Sequence, residues 1–103
     1  MELGISVKQT SGSHIITVSG EVDISNADAL RASIEQGLAA TDEVRLDFSA
    51  VSYIDSTGIG VLVGAARRAA EAGKRFSVVE VQPSVMRIVQ LLGVDREMDI
   101  SAA

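Results

Sequence analysis

Residues 47–64, which read DFSAVSYIDSTGIGVLVG, commit the chain to a strand, a loop and the start of a helix. Val44, Leu46 and Phe48 alternate with Glu43, Arg45 and Asp47, the period of a strand with one buried face. An apolar, glycine-punctuated helix follows. Asp55, Ser56 and Thr57 stand at the junction, and all three are residue types that cap helices by accepting a hydrogen bond from a free N–H of the first turn. A cap is the plainest role for Ser56. A phosphate on Ser56 would also sit beside those N–H groups and the positive end of the helix dipole, while Asp55 and Asp23 would oppose it. Such a residue would carry roughly two units of new charge into an acidic loop without unfolding the helix, which suits a binding switch.

The rest of the chain arranges itself around this stretch. Leu3, Ile5 and Val7 alternate with polar residues and predict a first strand, Ser11 to Ser13 a turn, and 15–19 a second strand, giving an antiparallel hairpin. Ser25 is placed as an N-cap with Asp28 in the capping-box position, followed by a helix with Leu30, Ile34 and Leu38 on one face. A strand at 44–48 and a helix over 57–72 come next, closed by Gly73. A strand is expected at 76–81. Pro83 then opens a third helix with Val85, Ile88, Val89, Leu91 and Leu92 as its apolar positions and Gly93 as its end, and 98–100 is a candidate last edge strand. Strands separated by helices require parallel crossovers, so the expectation is a single α/β domain over 1–103 with a mixed four- to five-stranded sheet. Alternation within the strands implies helices mainly on one face and a more open second face.

Charge and composition narrow the function. A net charge of −5, three aromatic residues and no Lys/Arg cluster argue against nucleic acid as a partner. No stretch approaches the roughly 20 apolar residues of a membrane span, so no membrane role is expected. The absence of cysteine excludes disulfides and thiolate metal sites, and the expected location is the cytoplasm. Asp and Glu are scattered, so neither a metal nor a cofactor is expected. Enzymatic patterns fit poorly. The one histidine, His14, falls at the start of a strand next to a turn and is expected to be exposed, giving Ser56 no base. Asp55-Ser56-Thr57-Gly58 has one residue too many for the Asp-Ser/Thr-Gly loop of aspartic proteases, and there is no second copy. Gly58, Gly60 and Gly64 miss the dinucleotide-binding spacing by one residue, although Glu80 stands where a ribose-binding acid would. Together with Ala65, Ala66, Ala69 and Ala70 these glycines describe a slim helix, at roughly 1 kcal/mol per glycine against alanine. Close packing or an approaching partner must offset that cost.

The run Leu46-Asp47-Phe48-Ser49 followed by Tyr53-Ile54-Asp55-Ser56-Thr57-Gly58-Ile59-Gly60-Val61-Leu62 closely resembles the STAS domain of bacterial anti-sigma factor antagonists. Gly20-Glu21-Val22-Asp23 is similar to that family's Gly-Glu-x-Asp, and the segments from Pro83 and from Leu91 to Val94 resemble its third-helix region. The resemblance implies helices on one side of a mixed sheet, in agreement with the periodicity. It also implies a regulatory binding protein and not an enzyme. The unmodified antagonist binds an anti-sigma factor that is also a serine kinase and so frees the sigma factor. Phosphorylation by that kinase ends the binding, and a PP2C-type phosphatase restores it. By matching position the acceptor is Ser56, with Asp23, Asp55, Thr57, Gly58, Ile59 and Gly60 facing the partner. Thr57 stands where many relatives have a second serine. The expected assembly is a monomer or weak dimer. The alternative is a STAS scaffold or accessory subunit of a stress-signalling or transport complex, which chain length disfavours because such forms usually carry further domains.

Overall fold

A computed structural model of the chain describes residues 3–103; Met1 and Glu2, counted in the expected domain, lie outside the described residues. The elements are β1 (Gly4–Thr10), β2 (Ser13–Val22), α1 (Ala27–Ala40), β3 (Glu43–Ile54), α2 (Ser56–Glu71), β4 (Arg75–Val81), α3 (Pro83–Leu91) and β5 (Asp99–Ala102). The strands form one sheet in the order β1-β2-β3-β4-β5, in which β1 runs antiparallel to β2 and every later pair is parallel.

That order decides where the helices go. Each parallel neighbour is reached through one helix, and all three steps run the same way across the sheet, so right-handed crossovers put α1, α2 and α3 on one face. Strand register agrees. Ile16, Leu46 and Val78 lie side by side in one row and are fully buried, with Ile100 partly buried at its end. The next row, Ile15, Arg45, Ser77 and Asp99, turns to the other face, where Arg45 and Asp99 are exposed. Leu30, Ile34 and Leu38 of α1 and Ile59, Leu62, Ala65 and Ala69 of α2 close the core from the helical side. Burying a side chain such as Leu62 or Phe48 contributes about 2 kcal/mol against leaving it in water.

Helix ends follow from local chemistry. At the end of α2, Gly73 adopts φ +70°, which lets Lys74 N–H reach Ala69 O at 2.8 Å and Gly73 N–H reach Ala70 O at 3.2 Å, the paired bonds of a left-handed C-terminal turn. Pro83 takes the first position of α3, as the sequence predicts.

Several expectations need correction. Residues 49–54 are not a loop but the second half of β3. The strand carries register shifts opposite Thr17 to Ser19 and Gly20 to Glu21, so its buried residues fall at Phe48, Val51 and Ile54 and the two-residue alternation is lost. β2 likewise runs on to Val22. Ser25 is not the cap of α1; Asn26 holds that position, and the Ser25 hydroxyl donates to Asp23 instead. Leu91 and Leu92, expected in the core face of α3, are 79% and 52% exposed, and Val85 and Val89 carry the packing.

His14 is also buried, not exposed, and its Nδ1 makes no hydrogen bond among the described residues. The ring fits because α1 has a glycine opposite it: a Cβ at Gly37 would stand 2.8 Å from His14 Cδ2 and 2.8 Å from Val44 Cγ2. An unpaired buried polar atom costs on the order of 1–3 kcal/mol. His14→Leu, similar in size and without that atom, is expected to raise stability by about 1 kcal/mol in chemical denaturation. A lower midpoint would show that the packing of the imidazole outweighs its orphaned nitrogen.

Candidate functional site

β2 and β3 end side by side, and the loops leaving them meet at Asp55. Its backbone N–H donates to Val22 O at 3.0 Å, and its carbonyl accepts from Ile59 N–H at 3.0 Å. The two carboxylate oxygens divide their work. Oδ1 caps α2 by accepting from Gly58 N–H at 2.9 Å, while Oδ2 accepts from Ile24 N–H at 3.0 Å in the β2–α1 loop. One side chain thus holds both loops together. The loop has a second lock in Asn26, whose Oδ1 accepts from Asp23 N–H at 2.9 Å and whose Nδ2 donates to Glu21 O at 2.8 Å.

With Asp55 as the cap, Ser56 is released from that role. It is the first residue of α2, it is exposed, and its hydroxyl makes no hydrogen bond among the described residues. Thr57, the rival hydroxyl, is half-buried. Ser56 and Gly60 are four residues apart and share the outer side of the helix. His14 begins β2 whereas Ser56 follows the end of β3, which runs parallel to it, so the imidazole is at the opposite end of the sheet from Ser56.

The residues expected to face a partner therefore divide. Asp23, Asp55, Ser56, Thr57 and Gly60 surround one end of the sheet, but Ile59 is only 3% exposed and Gly58 is buried. A Cβ on Gly58 would come within 2.7 Å of both Ile54 Cγ1 and Val22 Cγ1, so this glycine lets α2 sit down on the strands. Gly60 differs. A Cβ there would meet no atom within 4 Å, and nothing inside the chain requires glycine at that position. Sequence reasoning missed Ile24, 77% exposed and bonded through its N–H to Asp55. As a lone apolar residue in a loop it has no periodicity to announce it.

Asp23 is half-buried, and its carboxyl is held below the usual carboxylate range by the Ser25 hydroxyl and then the Ser25 N–H, both donating to Oδ1. A depressed folded-state pKa stabilises the fold above the carboxyl's unfolded pKa, and the contribution is lost as pH falls through the folded value.

Comparison with known proteins fits this geometry. A family model described as Mlab, STAS domain matches residues 5–100, and the chain belongs to the STAS-domain family. Its curated relatives include the anti-sigma-B factor antagonist of Bacillus subtilis, 28% identical over 102 residues covering 99% of this chain and 94% of that protein. The crystal structure of an anti-sigma factor antagonist from Mycobacterium paratuberculosis aligns with a TM-score of 0.85 at 25% identity, covering 99% of this chain and 87% of that one. The Bacillus cell fate determinant SpoIIAA, in its phosphorylated form, aligns with a TM-score of 0.73 at 22% identity, covering 94% of this chain and 90% of that one. Among the described residues no helix is long and apolar enough to cross a membrane.

Two measurements test the site's construction. Gly58→Ala is expected to lose roughly 1–3 kcal/mol through overpacking, whereas Gly60→Ala should gain about 0.5–1 kcal/mol from helix propensity. Equal effects in urea denaturation would contradict the division between inner and outer glycine. For the loop, Ser25→Ala should move the Asp23 carboxyl to a higher titration midpoint when its 13C shift is followed by NMR, and an unmoved midpoint would mean that Ser25 is not the cause.

Proposed function

We propose that this chain is an anti-sigma factor antagonist whose unmodified form binds an anti-sigma factor that is also a serine kinase, thereby releasing a sigma factor, and that phosphorylation of Ser56 ends the binding. The observation that carries this reading is the uncommitted Ser56 hydroxyl at the exposed start of α2, left free because Asp55 does the capping. Its support from known proteins is a set of relatives named as anti-sigma factor antagonists, one fold neighbour among them in a phosphorylated form.

The local chemistry accommodates the modification. The N–H groups of Ser56 and Thr57 have no intrahelical acceptor, and no hydrogen bond from either is made among the described residues, so donors stand beside the place a phosphate would occupy. The dianion stays attached to a folded helix, while a partner packed against Ser56 and Gly60 loses the room it needs. Asp23, Asp55 and Thr57 complete the surface the kinase meets, and Gly58 and Ile59 set the helix from beneath. A PP2C-type phosphatase removes the phosphate and restores binding. The system operates in the cytoplasm, on a monomer or weak dimer.

Incubation with the cognate kinase and ATP is expected to add one phosphate, at Ser56, and Ser56→Ala should abolish it while binding the kinase as the parent does. Ser56→Asp should weaken binding several-fold, and the loss should persist at high salt if room, and not long-range charge, is what the modification removes. A label on Thr57, Ser52 or Ser49 would sink the assignment. A parent chain that binds no anti-sigma factor and instead associates with a transport or scaffold assembly would replace the function altogether.

A further inference from the structure

The most exposed apolar side chain near the switch is Ile24, and the way it is held gives it a role. Isolated surface isoleucines need no explanation in general. Here the backbone that carries the side chain is fixed. The backbone N–H of Ile24 is tied to Asp55 Oδ2 at 3.0 Å, and the residue before it is fixed from both sides, with Asp23 N–H donating to Asn26 Oδ1 at 2.9 Å and Asp23 Oδ1 accepting from Ser25 N–H at 2.9 Å. The carboxylate that holds Ile24 N–H is the same one whose other oxygen caps α2 through Gly58 N–H at 2.9 Å. Ile24 is 77% exposed on a backbone already ordered before any partner arrives.

We infer that Ile24 is the apolar anchor of the partner-binding surface, taken up by an apolar pocket that is rimmed by Arg or Lys side chains of the anti-sigma factor. This rests on the function proposed above and adds to it the residue that supplies affinity. Three observations point to that occupant. A pre-ordered, exposed branched side chain can be buried by a partner at low entropic cost, which is what an interface anchor requires. Ile24 is bracketed by the carboxylates of Asp23 and Asp55, on a chain of net charge −5, so the complementary pocket has a cationic rim. The same Asp55 carboxylate joins Ile24 N–H to the capped turn that begins at Ser56, so the anchor and the phosphorylated residue are held in one fixed relation. A partner seated on Ile24 therefore also covers Ser56, and a phosphate there unseats it without Ile24 moving.

Leu91 provides an internal control. It is 79% exposed but ends α3, whereas the start of α3 is the part tied to β3, through Ser84 Oγ donating to Ser52 O at 3.2 Å. Its exposure is comparable, and its position is remote from the Asp55 junction.

Calorimetric titration of the full chain with its cognate anti-sigma factor, after circular dichroism has confirmed folding, tests the inference. Ile24→Ala is expected to weaken binding by about 10-fold or more, Ile24→Asp further still, and Ile24→Val only slightly, with the Ile24→Ala loss unchanged at high salt. Leu91→Ala should bind as the parent does. Normal affinity in Ile24→Ala and Ile24→Asp would overturn the inference while leaving the function intact, and so would an equal loss in Leu91→Ala. If the parent binds but phosphate never appears on Ser56, the switch fails and the anchor stands. No binding by the parent overturns both.

Discussion

The carboxylate of Asp55 is the interaction on which the order at the Ser56 end of this molecule depends. Strand pairing brings the ends of β2 and β3 together, but the loops that leave them have no core of their own. Asp55 supplies the connection, spending one oxygen on the first turn of α2 and the other on Ile24 N–H. Capping contributes about 1 kcal/mol to a helix, and a negative charge at a helix N-terminus adds a further fraction. The larger effect is positional. Because the cap comes from the residue before the helix, Ser56 keeps its hydroxyl, and a position that in other helices is consumed by structure is available for chemistry.

Gly58 and Gly60 show how two identical residues, two positions apart, serve different ends. The first faces Ile54 and Val22 and sets the distance between helix and sheet. The second faces outward into open space. Their alternation means that the same short turn is packed tightly on one side and left low on the other, so the rigidity of the helix start and its accessibility are independent properties.

The sequence made the order of elements legible because strand and helix periods were clear in most segments: Val44 to Phe48, Leu30 to Leu38, and the Pro83 start with its closing glycine all fold as their patterns indicate. What escaped were features that only three-dimensional neighbours create. The register shifts in β3 convert a two-residue rhythm to Phe48, Val51 and Ile54, which reads as a loop. Three consecutive residues could each have capped α2, and nothing in their order selects Asp55. His14 is covered because Gly37, distant in the chain, leaves room above it. The fold-family resemblance named the neighbourhood of Ser56, whereas the inward turn of Gly58 and Ile59 needed the packing to be seen.

The uniform direction of the crossovers has an electrical consequence. α1, α2 and α3 each follow the end of a parallel strand, so all three begin at the same pole of the molecule, each bringing about half a positive charge there. At the other pole Lys74 Nζ donates to Leu38 O near the end of α1, meeting the negative end of that helix. Asp23 and Asp55 sit at that positive pole, where the peptide dipoles favour negative charge only within about one helix turn. Beyond that distance a chain of net charge −5 presents the field of its ionised side chains, so the polarity built into the fold acts on a group already in contact and not on one still in solvent.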